Sequence, residues 1–314
     1  MAKRRLSDLI QKTGSVVIDG AMSTALEALG CDLNDSLWSA KILAEAPEKI
    51  RQVHSDYFAA GANVAITASY QATEAGFAAK GIGPEEAASL IRRSVSLALE
   101  AKAGHLSAHP ETEEGRLLVA GSVGPYGAYL ANGAEYTGAY DLTEAEYRRF
   151  HELRMKSLAE AGADLFAIET QPKAAEVRAI LGMLADYGIG AWVTFTLKDS
   201  AHIADGTPVE EAAALCEENP FVEAAGFNCV KRELVSEALR RMRSATGKPL
   251  IVYPNSGETY DPATKTWRHP VSGPGWGHFI GEWGKLGAVC LGGCCRTLPR
   301  DISEIASLLK DWKR

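Results

Sequence analysis

Short apolar runs rich in Val, Ile and Ala recur along the whole chain, each breaking off at glycine or polar residues. They span Val16–Gly20, Asn63–Tyr70, Leu117–Val123, Asp164–Thr170, Ala191–Leu197, Ala224–Val230, Pro249–Asn255 and Ala288–Cys294. None alternates cleanly between apolar and polar, which suits strands of a parallel sheet buried on both faces. Between them lie segments with helical periodicity and matching punctuation. Pro47 opens a helix carrying Ile50, Val53 and Tyr57 on one face, and Gly61 ends it. Pro84 opens another that runs to about Gly104. Thr143 with Glu146 makes a capping box before Phe150, Leu153 and Leu158, and Gly162 closes that helix. Pro172 leads a helix through Val177, Ile180, Leu181 and Leu184 to Gly188, and Thr207-Pro208 with Glu210 repeats the capping device.

Strands alternating with helices, and no linker between halves, predict the α/β class: a (β/α)8 TIM barrel, one domain over residues 1–314. A doubly wound open sheet is the alternative for this pattern. The connections Gly124–Tyr140 and Gly257–His278 exceed the usual loop of about 4–6 residues. Both are rich in glycine and aromatics and both follow a strand. In a barrel, loops in that position build the active-site face.

Composition narrows the class of partner. A net charge of −7 argues against a nucleic-acid binder, which needs a basic face to neutralise phosphates. No apolar run approaches the roughly 20 residues needed to span a bilayer. The basic start Met1–Ile10 is followed by no apolar stretch or small-residue cleavage site. The expectation is a cytoplasmic protein acting on small molecules, with no membrane or nucleic-acid partner.

The six cysteines are too few for a disulfide scaffold in a chain this long, and clustered cysteines point instead to metal or redox chemistry. Cys294 and Cys295 follow Gly292-Gly293 at the end of the eighth run, and Cys229 ends the sixth. Within a strand, adjacent side chains face opposite ways, but after two glycines the backbone can turn and both sulfurs can converge. Barrel geometry puts these strand ends on one rim. Three thiolates there would hold a soft or borderline cation, zinc above all, and leave one coordination position open. Buried apolar cysteines, or a disulfide between Cys294 and Cys295, are the alternatives. Cys31, Cys216 and Cys290 read as structural.

Several motifs then fall into a recognisable order. They are DGAM at Asp19–Met22, ET-x-P at Glu169–Pro172, NC at Asn228-Cys229, PNSGE at Pro254–Glu258 and GGCCRT at Gly292–Thr297. Together they resemble the homocysteine S-methyltransferase family, from about residue 15 to the C-terminus. DSLWSAK at Asp35–Lys41, ITASYQAT at Ile66–Thr73 and GSVGPYGAYL at Gly121–Leu130 are similar to the branch that uses S-methylmethionine.

The resemblance implies a zinc-dependent transfer of a methyl group from S-methylmethionine to the thiol of L-homocysteine, with S-adenosylmethionine as a second donor. Cys229, Cys294 and Cys295 would be the zinc ligands, and Asp19, Gly20 and Glu169 would hold the amino-acid end of homocysteine. Thr67 and Asn228 are assigned to the same substrate pocket. The betaine-using members carry extra C-terminal sequence used in assembly; this chain ends soon after GGCCRT, so a monomer or dimer is expected rather than their tetramer.

These residue types suit the chemistry. A free thiol, with a pKa near 8.5, is mostly protonated at neutral pH, and zinc stabilises the nucleophilic thiolate. A sulfonium donor can rest against aromatic faces, for which Trp38 and Tyr126, with Tyr70 and Tyr129, are the candidates. No general base is needed, so His54, His151 and His269 are read as surface or helix histidines. The same acceptor with betaine as donor, a non-catalytic zinc- or thiol-sensing barrel, and a lyase using Lys198 are the other readings.

Overall fold

The computed structural model describes residues 5–35, 37, 39–257, 259–261, 266–268 and 275–310. All eight apolar runs form strands: β1 (Val16–Val17), β2 (Val64–Ile66), β3 (Leu118–Val123), β4 (Leu165–Gln171), β5 (Gly190–Phe195), β6 (Val222–Asn228), β7 (Leu250–Tyr253) and β8 (Ala288–Leu291). They pair in parallel in the order β1-β8-β7-β6-β5-β4-β3-β2. The ring closes where Ile18 bridges Val64, with Asn63 N–H donating to Val17 O at 2.7 Å and Asp19 N–H to Val64 O at 3.1 Å. The fold is the expected (β/α)8 barrel, and the open-sheet alternative is excluded by that closure.

Two apolar clusters explain why the runs lack alternation. One fills the barrel with Val16, Ile18, Val64, Leu118, Ala120, Leu165, Ala167, Trp192, Ala224, Ile251 and Cys290. The other binds the outer strand faces to the helices. Burial of each large apolar side chain contributes roughly 1.5–3 kcal/mol, so both faces of every strand select for apolar residues.

A helix that the sequence pattern did not single out, Arg5–Thr13, buries Leu6 and Leu9 in the interior cluster. Ser7 N–H donates to Glu223 near the start of β6 at 2.7 Å, so this helix plugs the N-terminal end of the barrel. Substrate access is thereby left to the opposite rim.

Most helix signals hold. Pro47 and Pro84 open Pro47–Ala59 and Pro84–Ala108, and Thr143 and Glu146 make both arms of their capping box. Two details differ. The helix after β4 is divided into Ala174–Leu181 and Leu184–Tyr187. Thr207 caps nothing: Pro208 is the N-cap of Val209–Glu218 and no side-chain cap bond forms. Thr207 lies instead in a turn, its N–H donating to Asp205 Oδ1 and its carbonyl accepting from Ile203, beside an antiparallel bridge of His202 to Pro208. No helix among the described residues is long and apolar enough to cross a membrane.

Candidate active site

The C-terminal rim carries a cavity of about 470 Å³. Asp19 and Gly20 after β1, Thr67 after β2, Glu169 near the end of β4, Cys229 after β6, and Cys294 and Cys295 after β8 all line it. The three sulfurs lie within 4.8 Å of one another, with Cys229 and Cys295 at 3.5 Å. Cys229, Cys294 and Cys295 carry free thiols, so the two adjacent ones are not joined to each other.

The backbone reason for this convergence differs from the expected one. Neither Gly292 nor Gly293 takes a left-handed φ. They are glycines because a Cβ would meet Ile18 O at 2.6 Å and Thr297 Oγ1 at 2.5 Å. The left-handed residues other than glycine are Ala131, Thr170, Cys229 and Arg296, at φ 51°, 59°, 54° and 67°. Each costs on the order of 1–3 kcal/mol and lies in or beside the cavity lining, the usual setting for stored backbone strain. The thiols are then pinned through their main chains: Cys229 N–H donates to Tyr253 O (3.2 Å), Cys294 N–H to Pro254 O (2.8 Å), and Cys295 O accepts from Ser256 (3.0 Å).

The thiols differ in character. Contacts with Cys229 and Cys294 hold the Cys295 thiol well below the ordinary range, while contacts with Cys229 and Cys295 push Cys294 up. Three soft sulfur donors at this spacing, with Asn228 Nδ2 3.9 Å from Cys294 Sγ and the Tyr136 hydroxyl 3.1 Å from Cys229 Sγ, suit a thiophilic metal ion.

Two carboxylates face the same space. Asp19 is buried and its Oδ2 accepts from Ile66 N–H at 2.8 Å; burial raises its pKa well above the ordinary range, and the charge of Glu169 adds to this. Burial pushes Glu169 up to about 7, opposed by hydrogen bonds from Ser122 and Tyr253. Ser122 Oγ donates to Glu169 Oε1 at 2.5 Å. No lysine, arginine or histidine is among the described residues that line the cavity, whereas Asp19, Asp35, Glu135 and Glu169 are. Such a lining receives cations.

The other assigned residues divide. Thr67 lines the cavity, but its hydroxyl accepts from Ser122 N–H and pairs with Ser69, whose own proton goes to Ser122 O. Asn228 is fully buried behind the wall: its Oδ1 accepts from Thr170 N–H and Thr194 Oγ1, and its Nδ2 donates to Thr170 Oγ1. It positions the turn that carries Glu169 and Cys229. Tyr126 lies away from the cavity lining, its ring packed among Tyr129, Tyr140 and Phe150. Tyr70 does line the cavity. Trp38 and His269 lie outside the described residues.

His54 and His151 sit on helices, as expected, but neither is at the surface; both are fully buried. His151 bridges Arg154 and Glu176, whose second oxygen takes the Tyr140 hydroxyl. Arg154 in turn donates to Tyr70 O and Gly124 O, tying down the loops after β2 and β3. Lys198 is exposed and lines no part of the cavity, so it is not placed as a base at the site. Glu135 and Tyr136, which the residue-by-residue reading passed over, do line it. Their signal was an acid beside an aromatic inside the long loop Gly124–Tyr140.

Known proteins are similar to this chain in sequence and fold. The homocysteine S-methyltransferase family profile matches residues 16–309. Homocysteine S-methyltransferase YbgG of Bacillus subtilis (strain 168) is 49% identical over 304 residues, 95% of either chain. Homocysteine S-methyltransferase of Escherichia coli (strain K12) is 49% identical over 302 residues, 96% of this chain and 97% of that one. The crystal structure of the metallated form of the homocysteine methyltransferase MmuM from Escherichia coli superposes with a TM-score of 0.88 at 46% identity, covering 96% of this chain and 99% of that one.

Proposed function

Because the chain belongs to the homocysteine S-methyltransferase family, we propose that this enzyme moves a methyl group from S-methylmethionine to the thiol of L-homocysteine, giving two molecules of methionine. S-adenosylmethionine is the second donor of this reading, and zinc is the metal. The observation that carries it is the meeting, among the described residues, of three thiols and an all-acidic set of charged side chains in one cavity.

Cys229, Cys294 and Cys295 would hold the zinc. Bound there, the ion would keep the homocysteine sulfur as thiolate at neutral pH and leave the protein no need of a general base. Glu169 and Asp19 receive the homocysteine ammonium, which supplies the counter-charge their burial lacks. Gly20, without a side chain, lets Tyr57 and Thr297 close beneath that end of the cavity. Once the thiol has lost its proton to solvent, its sulfur forms a bond to the donor methyl as the donor S–C bond breaks with its electron pair. Thiolate and sulfonium become two neutral thioethers, so a cavity that excludes water favours the step.

Methionine formation is the test. Zinc-loaded enzyme receives homocysteine with S-methylmethionine, S-adenosylmethionine or betaine offered separately, before and after chelation. Turnover with the first, lost on chelation, restored by zinc and absent in Cys295→Ser together with its metal, is the expected result. Turnover with betaine alone would transfer the donor assignment, and one bound zinc with no turnover would remove the reaction.

A further inference from the structure

Building on that reading, we propose that Glu135 is the anionic partner of the donor's sulfonium, and that it sets this enzyme's requirement for a positively charged methyl donor. Glu135 sits in the short 3-10 turn Ala134–Tyr136 of the loop after β3 and lines the cavity. Its Oε2 is buried and has no hydrogen-bond partner among the described residues. A carboxylate oxygen in that state is costly unless something charged meets it. No lysine, arginine or histidine is among the described residues lining the cavity, so the partner comes from the ligand.

The position of the turn says which part of the ligand. Tyr136, next in sequence, has its hydroxyl 3.1 Å from Cys229 Sγ. Glu135 is fixed from below, its carbonyl accepting from Thr196 Oγ1 at 2.9 Å. The turn therefore walls the cavity on the side of the thiols; Asp19 and Glu169 stand at the ends of β1 and β4 and feel one another's charge, with Glu169 also in the field of Cys229. The homocysteine sulfur belongs at the thiols. The donor methyl must lie in line with it, with reacting atoms about 3–3.5 Å apart. A donor sulfur so placed stands against the Glu135 turn and the Tyr70 ring, not against the ammonium end. Burial raises the Glu135 carboxyl, and the negative field of Cys229 supports that shift, as expected for an acid whose counter-ion arrives with substrate.

The consequence is a split in kinetic constants. The sulfonium charge fades as the methyl leaves, so a carboxylate facing it stabilises bound donor more than the transition state. Glu135→Gln keeps the shape and removes the charge. With S-methylmethionine varied at saturating homocysteine, its KM is expected to rise roughly 10- to 100-fold, the scale of a lost contact between close opposite charges, while kcat does not fall. Calorimetry should show the same loss in S-methylmethionine binding. Methionine, with the same ammonium but a neutral sulfur, and the homocysteine KM should each move by less than about threefold. A donor KM that does not rise, or methionine binding weakened equally, overturns the assignment of Glu135 while leaving the reaction intact. A wild-type enzyme that methylates homocysteine from a neutral donor and neither binds nor uses the sulfonium overturns both the donor reading and this inference.

Discussion

The hydroxyl of Tyr136 lies 3.1 Å from the sulfur of Cys229, a contact between residues 93 positions apart that ties the loop after β3 to the strand end carrying the thiol. Contacts one step outside a metal's ligands typically change its affinity 10- to 100-fold. Tyr136→Phe should therefore keep the fold and lower zinc affinity about tenfold, measured by competition with a chromogenic chelator. Unchanged affinity would reduce Tyr136 to a wall of the cavity.

Glu169 gives a pH dependence of binding. Its folded value of about 7 stands above the usual 4.5, so burial favours the neutral form. The stability this group contributes is present below pH 4.5 and is lost as pH rises through 7, about 3 kcal/mol for a shift of that size. Only the ionised form can hold an ammonium. The homocysteine KM should thus rise about tenfold per unit as pH falls below 7, and Glu169→Gln should have a high KM without that bend. A KM for wild type that is flat from pH 8 to 5.5 would assign the ammonium to another residue.

Gly20 offers a steric prediction. A Cβ there would lie 2.8 Å from two atoms of Tyr57 and 2.9 Å from Thr297 Oγ1. Neither neighbour can yield cheaply: the Tyr57 hydroxyl bonds Ala21 O and Thr297 O, and Thr297 Oγ1 donates to Cys294 O at 2.6 Å. Gly20→Ala should cost about 1–3 kcal/mol in urea unfolding and, through Thr297, lower zinc occupancy. Wild-type stability and occupancy would mean that the rim relaxes.

His54 predicts how stability falls in acid. Both ring nitrogens are buried without a hydrogen-bond partner among the described residues, and burial pushes the imidazole down to about 4. The native state keeps it neutral while the unfolded chain takes up a proton near pH 6.5, so stability is lost as pH falls from 6.5 toward 4. Between pH 7.5 and 5 this group should cost about 2 kcal/mol. His54→Leu should flatten that part of the urea-midpoint profile, and an equally steep profile would trace the loss to other groups.

The fold was readable because its signals are local. Burial on both faces turns each strand into an apolar run, and Pro47, Pro84 and the Thr143–Glu146 pair mark helix starts within a few residues of chain. The helix Arg5–Thr13 escaped because its buried face is only Leu6 and Leu9, and its role depends on the barrel end it fills. Thr207 had the right neighbours for a cap, but the bridge of His202 to Pro208 took it into a turn.

By itself the sequence determined the barrel, the family and the set of thiols and acids at the strand ends, since these follow from periodicity and from residues named in short motifs. What only tertiary structure decided is which of them share one cavity and in what state. Asn228 turned out to serve the wall, Tyr126 to pack with other rings, and Glu135 and Tyr136 to line the cavity that holds the thiols. Burial and charge at a point depend on elements far apart in the chain, and no local pattern records which side chain a loop turns inward.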